Sequence, residues 1–247
     1  HSSDNIAPPV RIVEDGAVRT VVEALFIWNH SYLVQTYRIS KSDCKLELEQ
    51  RVHWNACDCI AKLEVPSAIQ ESVHLGQGMF GTSTLLKDGT ENASQRWNGI
   101  FNDTNGLTII NSGTYGSHST ENSLYISLLR SPAYSAHPIN GRPLIPDTHR
   151  YLARMDQGVH SIRFVLAGGV SEFRKSVVEW EAQLFQQQPY GLNAFPAGDG
   201  EIPGNFLEIS DHEVILSAMF IEPQSQRLIV RLWNSSNKQK NVTVKLH

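Results

Sequence analysis

The sequence has 247 residues, 40% of them hydrophobic and 19% charged, with 21 Lys and Arg against 25 Asp and Glu for a net charge of −4. Such a composition suits a globular chain that buries a large core, which excludes disorder and fibres. The charge balance, with no basic block, gives no footprint for nucleic acid or an anionic membrane surface, and no run approaches the roughly 18 apolar residues of a transmembrane helix.

The dominant pattern is short runs of Val, Ile, Leu, Tyr and Thr separated by turn residues, so the fold class read from it is all-β. Residues 1–9 read as an N-terminal tail and 10–247 as a single β-sandwich domain. Strands are expected at Val10 to Val13, Ala17 to Trp28 and Tyr32 to Ser40, joined at Asp15-Gly16 and at Asn29-His30-Ser31. Leu46 to Trp54 alternates apolar and polar residues, as a strand with one buried face should, and Ile60 to Val65 ends at Pro66. From Gly76 to Asn105 the composition turns to Gly, Thr, Ser, Asn and Asp, which predicts a long irregular excursion with two short hairpins. Strand patterning returns at Leu107 to Ile110, Ser123 to Leu129 and Gly158 to Leu166. Between them, Ser131 to Met155 reads as a Pro-rich loop anchored by Tyr134, Leu144, Ile145, Tyr151 and Leu152. One helix is predicted near 171–187, opened by Ser171 and Glu172, with Phe173, Val177, Trp180 and Leu184 on its apolar face and Val178 and Phe185 as further members. Four more strands are expected at Phe206 to Ile209, Val214 to Ile221, Arg227 to Trp233 and Asn241 to Leu246.

Motifs of chemistry are sparse. Cys44, Cys57 and Cys59 lack a second ligand pair for zinc and read as reduced thiols, in keeping with a reducing, cytoplasmic compartment. Five N-x-S/T sequons, at Asn29, Asn92, Asn102, Asn234 and Asn241, would matter only after secretion, and no signal peptide is seen. The ten histidines form no H-x-D or H-E-x-x-H pair, so no metal site is assigned; no G-x-S-x-G elbow occurs, and Gly76-Gln77-Gly78 completes no phosphate loop. Glycosidic hydrolysis commonly needs two carboxylates that converge in space, and Asp103, Glu121, Asp147, Asp156, Asp199 and Asp211 are loop acids whose simplest role is solvation or an Asx turn. Trp97, Tyr115, Tyr134 and Tyr151 sit in polar loops, where an aromatic ring either stacks on a sugar face or anchors its loop.

Several strings are not anonymous: Gln95-Arg96-Trp97, Gly106-Leu-Thr-Ile-Ile-Asn-Ser-Gly-Thr-Tyr-Gly116, Ser127-Leu-Leu-Arg-Ser-Pro-Ala-Tyr134 and Asp156-Gln-Gly-Val-His-Ser-Ile-Arg-Phe164. Supported by Val18-Arg19-Thr20, Arg51-Val-His-Trp-Asn55 and Leu228-Ile-Val-Arg-Leu-Trp-Asn234, they resemble the C-terminal β-sandwich region of glycoside hydrolase family 38 α-mannosidases. The Pro-rich insert resembles bacterial members. The resemblance implies a large galactose mutarotase-like supersandwich, taken from a retaining, zinc-dependent α-mannosidase that hydrolyses terminal α-D-mannosyl residues of oligosaccharides. It implies an N-terminal catalytic domain as partner, carrying the zinc ligands and the nucleophile, and a chain that by itself holds no cofactor and is inactive. An opening of His1-Ser2-Ser3 in place of Met fits a piece of a longer chain. Arg96, Trp97, Tyr115, Arg130, Tyr134 and Asp156 are the substrate-rim candidates by resemblance, while an Arg130–Asp156 ion pair pinning the Pro-rich loop is the structural alternative. Exposed apolar surface would make such a region a possible homo-oligomer when isolated. Two other readings stay open: a stand-alone non-catalytic carbohydrate-binding module, and an aldose-epimerase-like enzyme, which would need a His such as His74, His118 or His160 converging with a Glu.

Overall fold

The computed structural model describes residues 8–133, 153–193, 195, 198, 200 and 204–247. In chain order its elements are β1 (Val10–Asp15), β2 (Arg19–Trp28), β3 (Ser31–Ser40), β4 (Lys45–Trp54), β5 (Ile60–Pro66), β6 (Val73–Gly78), β7 (Gly81–Leu85), β8 (Asn92–Ala93), β9 (Trp97–Phe101), β10 (Asn105–Asn111), β11 (Gly116–Ser119), β12 (Ser123–Arg130), β13 (Gly158–Val170), helix α1 (Ser171–Gln186), β14 (Leu207–Ile209), β15 (Val214–Ile221), β16 (Leu228–Asn234) and β17 (Val244–Leu246). Among the described residues the all-β reading with one helix therefore holds. A nine-stranded antiparallel sheet runs β1-β2-β3-β4-β13-β10-β9-β6-β7, and a four-stranded sheet, β5-β12-β11-β8, packs on one of its faces.

Side-chain alternation explains the layering. On β10, Ile109 points into the space between the sheets with Leu48, Val52, Trp54, Phe164, Leu124 and Ile126, while its neighbour Ile110 points the other way. There it joins Trp97, Phe101 and Val165 under Val178 and Ala182 of α1. The centre is thus three layers: small sheet, large sheet, helix. The ribbon β15-β16 lies against α1, where Gln183 Nε2 donates to the Leu216 carbonyl at 3.2 Å.

Two sequence expectations need correction. The stretch from 76 to 105 is not an irregular excursion: it supplies β7, β8, β9 and parts of β6 and β10, and every residue of β9 is buried. Trp97-Asn98-Gly99-Ile100-Phe101 looks loop-like because of Asn98 and Gly99. Gly99 is required there because a Cβ would press into the Leu107 carbonyl oxygen of the adjoining strand. The helix is where the periodicity puts it, but its buried face is Ser171, Arg174, Val177, Val178, Glu179 and Ala182, leaving Phe173, Trp180 and Leu184 outward. Polar anchoring turns it. Arg174 donates to Thr108 Oγ1 at 2.7 Å and to Glu181 at 2.6 Å, and Glu181 also takes Lys45 at 3.0 Å. Burial opposes ionisation of Glu181, but the hydrogen bonds from Arg174 and Lys45 outweigh it and hold the carboxyl below its ordinary range. Most of the Pro-rich loop, including Tyr134, Leu144, Ile145, Asp147, Tyr151 and Leu152, lies outside the described residues, as does Asp199 further on.

Candidate functional site

Where β6 and β9 end beside α1, a buried polar network underlies an open groove. Glu179, 5% exposed, accepts the Trp97 indole N–H at 2.9 Å on one oxygen and Gln77 Nε2 at 2.6 Å on the other. The second end of the same amide, Gln77 Oε1, accepts the backbone N–H of Arg96 at 2.7 Å. Burial pushes the Glu179 carboxyl above its ordinary range, against the two hydrogen bonds and the nearby charge of Arg96. With both oxygens engaged, Glu179 positions its neighbours. The chain Glu179–Gln77–Arg96 thereby fixes the backbone that carries the Arg96 side chain, which is half-buried.

Above this floor lie two adjoining grooves that share Gln77, Met79, Gln95 and Arg96. One, about 450 Å³, is walled by Phe80, Trp233, Arg231 and Gln183; the other, about 640 Å³, by Tyr115, Ser94 and Gln186. Phe80 meets Trp233 edge to face at 5.9 Å between ring centres. It is held at φ +54° in the tight β6–β7 turn, a left-handed conformation that costs an aromatic residue about 1–2 kcal/mol. Aromatic faces beside Arg and Gln donors are the surface chemistry that receives the apolar and hydroxyl sides of a sugar ring.

Of the six residues singled out from the sequence, three come together here. Arg96 and Tyr115 line the grooves, whereas Trp97 is 2% exposed and supports the floor from beneath. Arg130 and Asp156 meet elsewhere, at the start of β13, about 20 Å along that strand from Arg96 at 3.3 Å per residue. Their contact runs from the Arg130 backbone N–H to the Asp156 carboxylate at 3.1 Å, with Asp156 itself in a turn at φ +52°. Tyr134 lies outside the described residues. Gln77, Glu179, Phe80 and Trp233 escaped sequence reasoning. The one usable signal was Gly76-Gln77-Gly78, a polar side chain between two glycines on a buried strand.

A His and a Glu do approach each other, His118 Nδ1 to Glu91 Oε2 at 3.6 Å, on the outer face of the four-stranded sheet, where Lys62 and Ser127 also hold Glu91. Tyr125 stacks on the His118 ring at 4.5 Å. His118 with Tyr125 and Lys62 with Ser127 are cross-strand pairs on that face, and Glu91, just before β8, bridges them. Among the described residues no group of three or more His, Cys, Asp or Glu side chains converges to hold a metal ion. Among them, too, no helix is long and apolar enough to cross a membrane.

Among the described residues the fold is a layered β-sandwich with one helix, and its candidate site is a polar groove beside that helix. Comparison with protein families supplies the family: residues 1–149 match the glycosyl hydrolases family 38 C-terminal domain, and the chain belongs to that family. Among solved structures, a glycosyl hydrolase family 38 protein from Enterococcus faecalis is 12% identical and superposes with a TM-score of 0.80, over 98% of this chain and 32% of that one. An α-mannosidase from Enterococcus faecalis V583 gives 12% identity, a TM-score of 0.79, and 98% and 31% coverage. The chain thus spans about a third of the length of these structures, which at that identity establish the fold alone. No curated protein matches the sequence.

Proposed function

We propose that this chain is the C-terminal region of a retaining, zinc-dependent α-mannosidase that removes terminal α-D-mannosyl residues from oligosaccharides, with metal and nucleophile supplied by an N-terminal catalytic region. The observation that carries the reading is the family match, joined to a superposition that covers nearly all of this chain and only a third of the long chains it resembles. In this reading the groove around Arg96, Tyr115, Phe80 and Trp233 forms part of the substrate rim: the aromatic faces pack on sugar C–H surfaces and the Arg96 guanidinium donates to hydroxyls. Glu179 and Gln77 hold Arg96 in place from below. The three cysteines are unpaired, which suits the reducing cytoplasm.

The test is hydrolysis of p-nitrophenyl α-mannoside by this chain alone and by the long enzyme that contains it, with zinc content measured on both. Activity and stoichiometric zinc confined to the long enzyme support the accessory role. Turnover or zinc in the chain alone would overturn it, and mannose-oligosaccharide binding without any catalytic partner would favour a free-standing binding module.

A further inference from the structure

The β2–β3 hairpin ends in a knob that the rest of the described molecule leaves open. Leu25, Phe26, Ile27 and Trp28 run consecutively to the turn, and all are exposed, Ile27 at 68% and Trp28 at 58%. Strand alternation sends Phe26 and Trp28 to one face and Leu25 and Ile27 to the other, so the knob is apolar on both sides. A hairpin that lived in water would show one polar face. On the neighbouring edge strand, Val10 and Ile12 extend the same apolar surface, and Tyr32 adds an aromatic on the returning strand.

The knob is also rigid. Asn29 and His30 form a two-residue turn with both φ values positive, 45° and 60°, which matches the twist of the strands. Ser31 Oγ accepts the N–H groups of Asn55 and Ala56 at 2.9 and 3.1 Å, and Asn55 Nδ2 donates to the His30 carbonyl at 3.0 Å. Behind it, Trp28 stacks on Trp54 at 5.9 Å and Tyr32 on His53 at 6.1 Å. Large apolar side chains fixed in place and facing outward lose little entropy when they are covered, which is how a docking hot spot is built.

The direction of the chain names the occupant. β1 pairs antiparallel with β2 so that its first residue, Val10, lies opposite Ala24, and the Pro9 carbonyl accepts the Leu25 N–H at 2.7 Å. The described chain therefore enters the sheet at Pro9, beside Leu25 at the base of the knob. We propose that the β2–β3 knob is the seat on which the upstream catalytic region of the same long chain docks. This rests on the family reading above, in which about two thirds of the enzyme lies outside this chain. A second copy of the chain is the competing occupant.

Hydroxyl-radical footprinting of the wild-type long enzyme, read residue by residue by mass spectrometry against the same enzyme unfolded, tests the seat without a variant. Trp28 and Phe26 are expected to be oxidised at least tenfold more slowly than in the unfolded enzyme, as slowly as the core residue Trp97, and to keep that protection on dilution to monomer. Oxidation of Trp28 within a few-fold of the unfolded rate overturns the proposal, and protection that disappears on dilution assigns the knob to a second copy and overturns it too. Mannoside hydrolysis by the same preparation is scored separately: if it is absent the proposed activity fails, while the footprint still reports whether the knob is covered from within the chain.

Discussion

Replacing Glu179 by Ala is the sharpest probe of the network beneath the groove. The substitution strands the Trp97 indole N–H, locked in the core at 2% exposure, and the Nε2 of Gln77. A buried donor left without its partner costs about 1–3 kcal/mol, and hydrogen bonds to a charged group lie at the upper end. Two such losses, offset by no longer burying a carboxylate, give a net destabilisation of about 3 kcal/mol. For a domain of this size that lowers Tm by about 6–12 °C. Thermal and urea unfolding of wild type, Glu179→Ala and Glu179→Gln measure it, with Gln expected to lie between because it keeps one acceptor oxygen. In the long enzyme, Glu179→Ala should also raise KM for a mannoside more than it lowers kcat, since Arg96 loses its backbone tether. A stability loss under about 1 kcal/mol for the Ala variant, or identical losses for Ala and Gln, would refute the claim that this carboxylate is held by those two donors.

Arg96→Ala is expected to raise KM in the long enzyme with kcat little changed and to leave Tm nearly unaltered, because its side chain is only half-buried at the groove; an unchanged KM would remove it from the rim. Gly99→Ala should destabilise by about 3 kcal/mol or more, or prevent soluble expression, since the new methyl meets the Leu107 carbonyl oxygen in a strand flanked on both sides; urea unfolding decides this. His74 is 1% exposed, and burial pulls its imidazole down to about 4 from the ordinary 6.5. The unfolded chain then binds that proton more tightly, so the stability from a neutral His74 is full above the ordinary value and is lost as pH falls from 6.5 towards 4, by up to about 3 kcal/mol. Urea midpoints across that window should slope steeply in wild type and less in His74→Gln. Glu179 acts in the opposite sense: its folded-state value is raised, so its contribution is full below the ordinary carboxylate range and declines as pH rises.

Local patterning was enough for the strands that cover one face of a core. Leu46 to Trp54 alternates because one side of β4 meets the small sheet and the other does not, and alternation of that kind is visible in any single sequence. The site of the helix was equally legible from its period. Its facing was not, because Arg174 and Glu179 are buried against partners, Thr108, Trp97 and Gln77, that lie far away along the chain, while Phe173, Trp180 and Leu184 keep the apolar period and point outward. For the same reason the fully buried β9 read as loop: Asn98 and Gly99 are chosen by neighbouring strands rather than by local propensity. Arg96, Trp97 and Tyr115 were named from the sequence by resemblance, yet only the fold distinguishes the groove residues from the buried support and moves Arg130 and Asp156 to another part of the sheet. A sequence fixes its own periods and turns; which polar side chains meet across strands and a helix, and so what a groove can hold, is set by long-range pairing that packing alone selects.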